Sequence, residues 1–301
     1  MSLEKVESIR WYAILIEKIK DVGVLMKFKL SLTVVFSAVM SYLIALRTPT
    51  DYNNVLVLFL GGLLTAGAAS ALNQAIEKDY DKLMPRTANR PVAAGRMSMS
   101  SAVLIAGIMS LAGITLLSFF NPLTGFLGMI SLISYAFVYT PLKRVSNVAV
   151  LWGGIPGALP IVIGCTAAQN GVLTTLALAL FAIQFFWQFP HFWAIAWLAN
   201  EDYKKAGFNL LPNKSGALDK SVGKSAMIFA LLLIPFSVMP YLLGATGKIS
   251  ALLLVILALV YAFFGWKLMQ ECSRKAALTL MFMALVYLPA VLFILYFDKI
   301  N

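Results

Sequence analysis

The sequence predicts an all-α integral membrane protein with nine spanning helices, and three observations carry that expectation. Of its 301 residues, 60% are hydrophobic and 12% are charged, about half the charge of an ordinary soluble domain. The mean hydropathy is +0.85. The chain is organised by long charge-free windows rather than by alternating apolar and polar positions, and a spanning helix needs roughly 20 predominantly apolar residues. Soluble, disordered, collagenous and disulfide-framework classes are excluded on composition.

The windows give the spans in order: Leu30–Leu46, Tyr52–Ile76, Met97–Leu142, Val145–Asn200, Ser225–Gly247, Ile249–Trp266 and Ala276–Phe297. The third and fourth, at 46 and 56 residues, are each long enough for two helices. Asn121-Pro122 divides the third and Gln169-Asn170-Gly171 the fourth, both being turn signals. Nine spans result.

Alternate connections then lie on opposite faces. The N-terminus and the connections after spans 2, 4, 6 and 8 hold 21 of the 24 Lys and Arg residues, leaving Arg47, Lys248 and Lys299 on the other face. The basic face is expected to be cytoplasmic, which puts the N-terminus inside and the C-terminus outside. The net charge of +11 therefore reports topology, and membrane lipid rather than nucleic acid is the expected surroundings. Acidic residues such as Glu17 and Asp21 argue against a signal peptide or presequence in the first 26 residues. Residues Ser8 to Val24 read either as an amphipathic helix on the cytoplasmic leaflet or as a solvated tail. A prokaryotic plasma membrane fits best. The chain reads as a single membrane domain, 1–301, with a cytoplasmic N-terminal segment over 1–26 and two long cytoplasmic connections, 77–100 and 200–224, that carry the chemistry.

Cys165 and Cys272 lie far apart and His191 is the single histidine, so a structural zinc or multi-histidine site is not expected. The acidic residues are more informative. Five of the 13 fall in two stretches, Asn73 to Val92 and Pro190 to Gly207. If span 2 continues as a helix through Asp81, positions 73, 77 and 81 turn by about 40° and rise about 6 Å per step. Asn73, Glu77 and Asp81 then form one stripe, with Asp79 facing elsewhere. One amide and two carboxylates suit magnesium, which takes hard oxygen ligands and completes its shell with water and phosphate oxygens. Lys82, Arg86 and Arg90 follow at once, and Lys143-Arg144 arrives after span 4. Such forks and point charges bind the remaining phosphate oxygens. Charges at a membrane boundary ordinarily form solvated ion pairs, but an ordered string of this length argues for a diphosphate–magnesium site.

At these residues the sequence resembles the UbiA-type intramembrane prenyltransferases, whose first motif has the form NxxxDxxxD. It stands here as Asn73, Glu77 and Asp81, with Glu for the commoner Asp. Within that superfamily the strings Arg86-Thr-Ala-Asn-Arg90-Pro91, Tyr139-Thr-Pro-Leu-Lys143-Arg144, Gly153-Gly-Ile-Pro-Gly-Ala-Leu-Pro160 and Trp187-Gln-Phe-Pro-His191-Phe-Trp193 resemble those of the protohaem IX farnesyltransferases. Quinone-type members carry a second Asp-rich motif after span 6, where this chain has His191 and then Glu201-Asp202. Cys165 departs from the pattern, which has Trp there.

The resemblance implies nine helices around a central cavity, farnesyl diphosphate as donor, haem b as acceptor and haem O as product, with magnesium as cofactor. It implies Asn73, Glu77, Asp81, Arg86, Arg90 and His191 as catalytic residues. Diphosphate falls to Lys82, Arg86, Arg90, Lys143, Arg144 and Lys204, haem to His191, Trp187 and Tyr139, and metal to Asn73, Glu77, Asp81, Glu201 and Asp202. Tyr139, Phe185, Phe186, Trp187 and Phe189 offer ring faces for an allylic cation. His191, after Pro190, reads as an iron ligand or as the group that positions a quenching water, and the sequence does not separate the two. A haem A synthase or a terminal oxidase is the implied recipient of the product. The competing readings are a UbiA-type enzyme acting on a quinone precursor or chlorophyllide and, from another class, a polytopic transporter, whose site would sit nearer the midplane.

Overall fold

A computed structural model describes residues 15–300. Among them nine helices are long and apolar enough to cross a membrane: α1 (Phe28–Ala45), α2 (Tyr52–Ile76), α3 (Met99–Ser118), α4 (Pro122–Leu142), α5 (Ala149–Ala168), α6 (Thr175–Leu198), α7 (Lys220–Leu242), α8 (Lys248–Glu271) and α9 (Arg274–Phe297). The protein is a multi-pass membrane protein. Both long windows divide where the turn signals lie. Asn121 caps α4, accepting from the Thr124 amide, with Pro122 opening the helix. Between α5 and α6, Asn170 (φ 50°) and Gly171 (φ 84°) take the left-handed turn. Asp51, Ser98, Thr174, Asp219 and Ser273 cap α2, α3, α6, α7 and α9 in the same way, each satisfying an amide that the first helical turn leaves free. Residues 15–25 are also helical; the part of the expected N-terminal helix before residue 15 lies outside the described residues.

α5 is the most enclosed helix, buried without a break from Ala158 to Ala167, and it packs against α1, α4 and α6. Its two internal prolines, Pro156 and Pro160, each remove a backbone donor. In hydrocarbon every freed carbonyl needs a partner, and Ser131 on α4 donates to the Pro156 carbonyl at 3.3 Å. Gln188 and Gln184 on α6 bond the Gly154 and Gly157 carbonyls at 2.8 and 2.7 Å. α4 is interrupted by a π-helical stretch, Ser134–Tyr139, a local widening often found at functional sites.

The two ends of the bundle are tied differently. At one end lie residues 15–27 and the connections after α2, α4 and α6, joined by Arg96 to Asp21 (3.0 Å), by Gln74 to the Val24 and Leu25 carbonyls (2.8 and 2.9 Å), and by Asn147 to the Leu211 and Pro212 carbonyls (3.3 and 3.2 Å). At the other end Lys299 donates to the Leu43 and Leu46 carbonyls at the close of α1 (2.9 and 3.1 Å). Asp298 there accepts from the Ser250 amide at the start of α8 (2.7 Å).

Candidate functional site

α2 does not run unbroken through the acidic stripe. It ends at Ile76, Glu77 leaves helical geometry (φ −93°, ψ 9°), and a single turn covers Lys78–Asp81. The 4-residue repeat of hydrogen bonds survives the break: the Glu77 amide donates to the Asn73 carbonyl (2.9 Å) and the Asp81 amide to the Glu77 carbonyl (2.8 Å). The stripe therefore persists although the helix does not. Asn73, Glu77 and Asp81 line one polar cavity of about 150 Å³. Asp79 turns outward to solvent and pairs with Lys82 at 3.0 Å; that ammonium holds its carboxyl below the usual carboxylate range.

Inside the cavity the two carboxylates are almost fully buried, Glu77 at 3% and Asp81 at 0% exposure. Each has a cation. Arg90 binds both Asp81 oxygens from one nitrogen at 2.8 Å. Lys143 Nζ lies 2.5 Å from Glu77 Oε1 and supplies its countercharge. The Asn73 amide donates to Glu77 Oε2 (2.8 Å) and to the Thr140 hydroxyl (3.1 Å), while its oxygen accepts from Lys27 (2.8 Å). Asn73 thus orients Glu77 and is itself held by Lys27. Arg86, which also lines the cavity, reaches the Tyr203 hydroxyl at 3.4 Å.

The structure gathers Asn73, Glu77, Asp81, Arg86, Arg90, Lys143 and Tyr139 around this space and leaves other expected residues outside it. Lys82 is engaged with Asp79. Glu201 pairs with Lys204 (3.3 Å) and Asp202 with Lys205 (3.8 Å), one turn away on their own short helix, Asn200–Lys205, and neither lines the cavity. Arg144 is structural in its contacts: it donates to the Ile76 carbonyl (3.1 Å) and stacks on Tyr80 at 4.1 Å, pinning the end of α2, where carbonyls lack helical partners.

Three contributors escaped the sequence reading. Lys27 is a cavity wall, and as a non-glycine residue at φ 47°, ψ 53° it holds a left-handed conformation that ordinarily costs about 1–2 kcal/mol. Burial, with Arg90 and Lys143 close by, pushes its ammonium down to about 7. Tyr135 and Tyr203 complete the wall. Lys27 looks like one of many basic residues beside a span, and no local motif sets it apart.

A second, apolar cavity of about 210 Å³ lies among α1 to α6 and shares Tyr135 and Tyr139 with the polar one. The π-helical stretch puts these two rings 5.4 Å apart at the junction. Gly153 makes room there, since a Cβ on it would sit 2.8 Å from the Tyr139 ring. Of the expected aromatic cluster, Tyr139 lines both spaces and the other four rings line neither. Phe185, Phe186 and Phe189 pack on one another and on Phe229 and Phe236, filling the α6–α7 core. Trp187 and His191 stack face to face at 5.5 Å and also lie outside both cavities. Trp187 Nε1 donates to the Ala284 carbonyl of α9 (2.9 Å), and Tyr261 of α8 donates to the Trp187 carbonyl (3.1 Å). His191 Nδ1 is buried with no hydrogen-bond partner, although its neighbour Phe192 is a wall of the apolar cavity.

The polar cavity's chemistry fits a metal–diphosphate complex. Among the described residues no group of three His, Cys, Asp or Glu side chains gathers as a self-sufficient metal site. The Glu77–Asp81 pair instead offers hard oxygens to a cation whose shell is completed by phosphate and water. Lys27, Arg86, Arg90 and Lys143 outnumber the two carboxylates, a positive surplus that a diphosphate would neutralise.

Comparison with known proteins agrees with this arrangement. Residues 34–286 match the UbiA prenyltransferase family. A protoheme IX farnesyltransferase from Cytophaga hutchinsonii is 43% identical over 277 residues, 92% of this chain and 96% of its own. One from Flavobacterium psychrophilum is 42% identical, over 91% of this chain and 92% of its own. Among solved structures, a UbiA homologue from Archaeoglobus fulgidus bound to DMAPP and Mg2+ superposes with a TM-score of 0.71 at 14% identity, covering 91% of this chain and 99% of that one. A structure described for digeranylgeranylglyceryl phosphate synthase gives a TM-score of 0.77 at 19% identity, over 94% and 98% of the two chains.

Proposed function

The chain belongs to the UbiA prenyltransferase family, and from that premise we propose that it transfers the farnesyl group of farnesyl diphosphate to a vinyl group of haem b, with addition of water, giving haem O and diphosphate. The observation that carries this reading is a buried carboxylate pair ringed by four basic side chains and opening, past Tyr135 and Tyr139, onto an apolar cavity. One space suits the diphosphate and the other its isoprenoid tail. The relatives' common name supplies the haem acceptor.

Glu77 and Asp81 would hold magnesium, with Asn73 fixing the orientation of Glu77; when bound, the metal supplies Lewis-acid charge to the diphosphate oxygens. Arg90 and Lys143, now neutralising the carboxylates, are placed to turn to phosphate oxygens, and Arg86 and Lys27 face the same space. These groups stabilise charge growing on the leaving diphosphate as the C–O bond to farnesyl breaks, and such preorganised electrostatics is usually the largest catalytic contribution. Tyr135 and Tyr139 present ring faces to the allylic cation at the junction of the two cavities. The vinyl group's π electrons form the new bond to farnesyl C1. The positive charge then lies on the carbon beside the porphyrin, water adds there, and its proton is lost. No redox step is involved.

His191, with its free ring nitrogen and its stack on Trp187, serves the haem side, either at the iron or at the incoming water. The polar cavity faces the cytoplasm of a prokaryotic cell, in its plasma membrane, because 21 of 24 basic residues lie on that side. The product passes to a haem A synthase or a terminal oxidase. A cysteine replacing Ser215 should react with a membrane-impermeant reagent only from the cytoplasmic side, and one replacing Lys248 only from outside; the reverse would refute the orientation. For the activity itself, purified protein given farnesyl diphosphate, haem b and magnesium should yield haem b enlarged by one farnesyl and one hydroxyl group. Diphosphate release without that product would remove haem as the acceptor.

A further inference from the structure

Resting on that reading, we propose that Thr140 is a positioning residue for the metal–diphosphate site, fixing which end of the Asn73 amide faces Glu77. A threonine hydroxyl carries one proton and two lone pairs. At Thr140 the proton is committed, because the hydroxyl donates to the Tyr135 carbonyl at 2.9 Å. The π-helical stretch sets up this bond, and the Thr140 amide donates to the same carbonyl, five residues back. In regular helix the hydroxyls of Thr65, Thr166 and Ser237 reach carbonyls four residues back. Toward α2, therefore, Thr140 can only accept, and it accepts from Asn73 Nδ2 at 3.1 Å.

That one-way contact bears on the amide's orientation. The oxygen and nitrogen of an asparagine amide are nearly alike in shape, and their partners tell them apart. With its nitrogen toward Thr140, Asn73 also donates to Glu77 Oε2 at 2.8 Å, and its oxygen accepts from Lys27 at 2.8 Å. A turned amide would set its oxygen against both the Glu77 carboxylate and the Thr140 lone pairs. Asn73, Glu77 and Lys27 line the polar cavity, whereas Thr140 lines neither cavity and is fully buried. Glu77 and Lys27 are groups that the functional reading gives to the ligand. Thr140 is neutral and stands behind them, so it holds Asn73 while the other two change partners.

The test reads magnesium dependence rather than turnover. Purified protein is titrated calorimetrically with a non-hydrolysable farnesyl diphosphate analogue over a range of magnesium concentrations. Thr140→Val keeps the shape, removes the hydroxyl and leaves an Asn73 N–H buried without a partner. The magnesium required for half-maximal binding should rise about tenfold or more. Thr140→Ser, which restores the hydroxyl, should bring it back to within about twofold of wild type. Thr140→Val added to Asn73→Ala should do little beyond Asn73→Ala alone, because both act through one amide. If Thr140→Val fails to accumulate, Thr140→Cys, whose sulfur is a weak acceptor, takes its place with the same expectation. A lower melting temperature with the wild-type magnesium dependence, or a Thr140→Ser protein as impaired as Thr140→Val, overturns the proposal and leaves the functional reading intact. Wild-type protein that binds the analogue equally well without magnesium overturns that reading and this proposal with it.

Discussion

Both ends of the bundle carry charged side chains beside helix termini, yet they are used in opposite ways. At the end bearing Lys299, Asp298 and Arg47, each group is spent on backbone: Lys299 on the last carbonyls of α1, Asp298 on the Ser250 amide of α8, Arg47 on the Ile300 carbonyl. Among the described residues, no charged side chain of that end lines either cavity. At the opposite end Glu77, Asp81, Lys27, Arg86, Arg90 and Lys143 surround a cavity, and side chains hold one another where a ligand would otherwise sit. Charge at a membrane boundary is thus uninformative alone. What distinguishes a site is charge arranged around space, with buried carboxylates whose partners can be exchanged.

Substitutions at the two ends should therefore differ sharply in their effect on turnover. The largest effect is expected from Asp81→Asn, which removes a carboxylate no neighbour replaces. Farnesyl transfer should fall at least a thousandfold, about 4 kcal/mol of barrier, with membrane insertion checked by protease protection. Retained turnover would make the stripe structural. Arg90→Ala should cost about a hundredfold, roughly 2.7 kcal/mol, and Arg90→Lys should recover only part, since a point charge lacks the fork. His191→Ala should leave magnesium-dependent donor binding unchanged while haem product falls more than tenfold. An altered Soret spectrum would assign it to the iron, an unaltered one to the water, and wild-type turnover would make it a packing residue. The smallest effects on turnover belong to Lys82→Ala and Lys299→Ala, each within about twofold. Lys82 loses only a solvent-exposed pair with Asp79, which water screens. Lys299→Ala should cost about 1–2 kcal/mol of stability, read as a lower melting temperature at unchanged specific activity.

The spans were legible because hydrocarbon imposes a simple rule on the backbone, and Asn121-Pro122 and Asn170-Gly171 divide the long windows by local turn chemistry. The stripe at 73, 77 and 81 was legible because helical periodicity outlasts the break at Glu77. Two things were not. Which basic residues face the cavity depends on their competitors: Lys82 and Lys204 each have an acidic partner one turn away, whereas Arg90 and Lys143 find theirs across the site. Lys27 belongs through a left-handed backbone and a contact 46 residues distant, and neither leaves a mark in local sequence. The aromatic run Phe185–Phe189 misled because helix packing and cation stabilisation use the same side chains.

On the proposed reading, the space beside Glu77 and Asp81 takes a magnesium diphosphate. Calorimetric titration of the detergent-solubilised protein with a non-hydrolysable farnesyl diphosphate analogue tests it most directly. Binding should require magnesium, disappear in Asp81→Asn and be unchanged in Lys299→Ala. Binding of equal strength without the metal, or its survival in Asp81→Asn, would contradict the account.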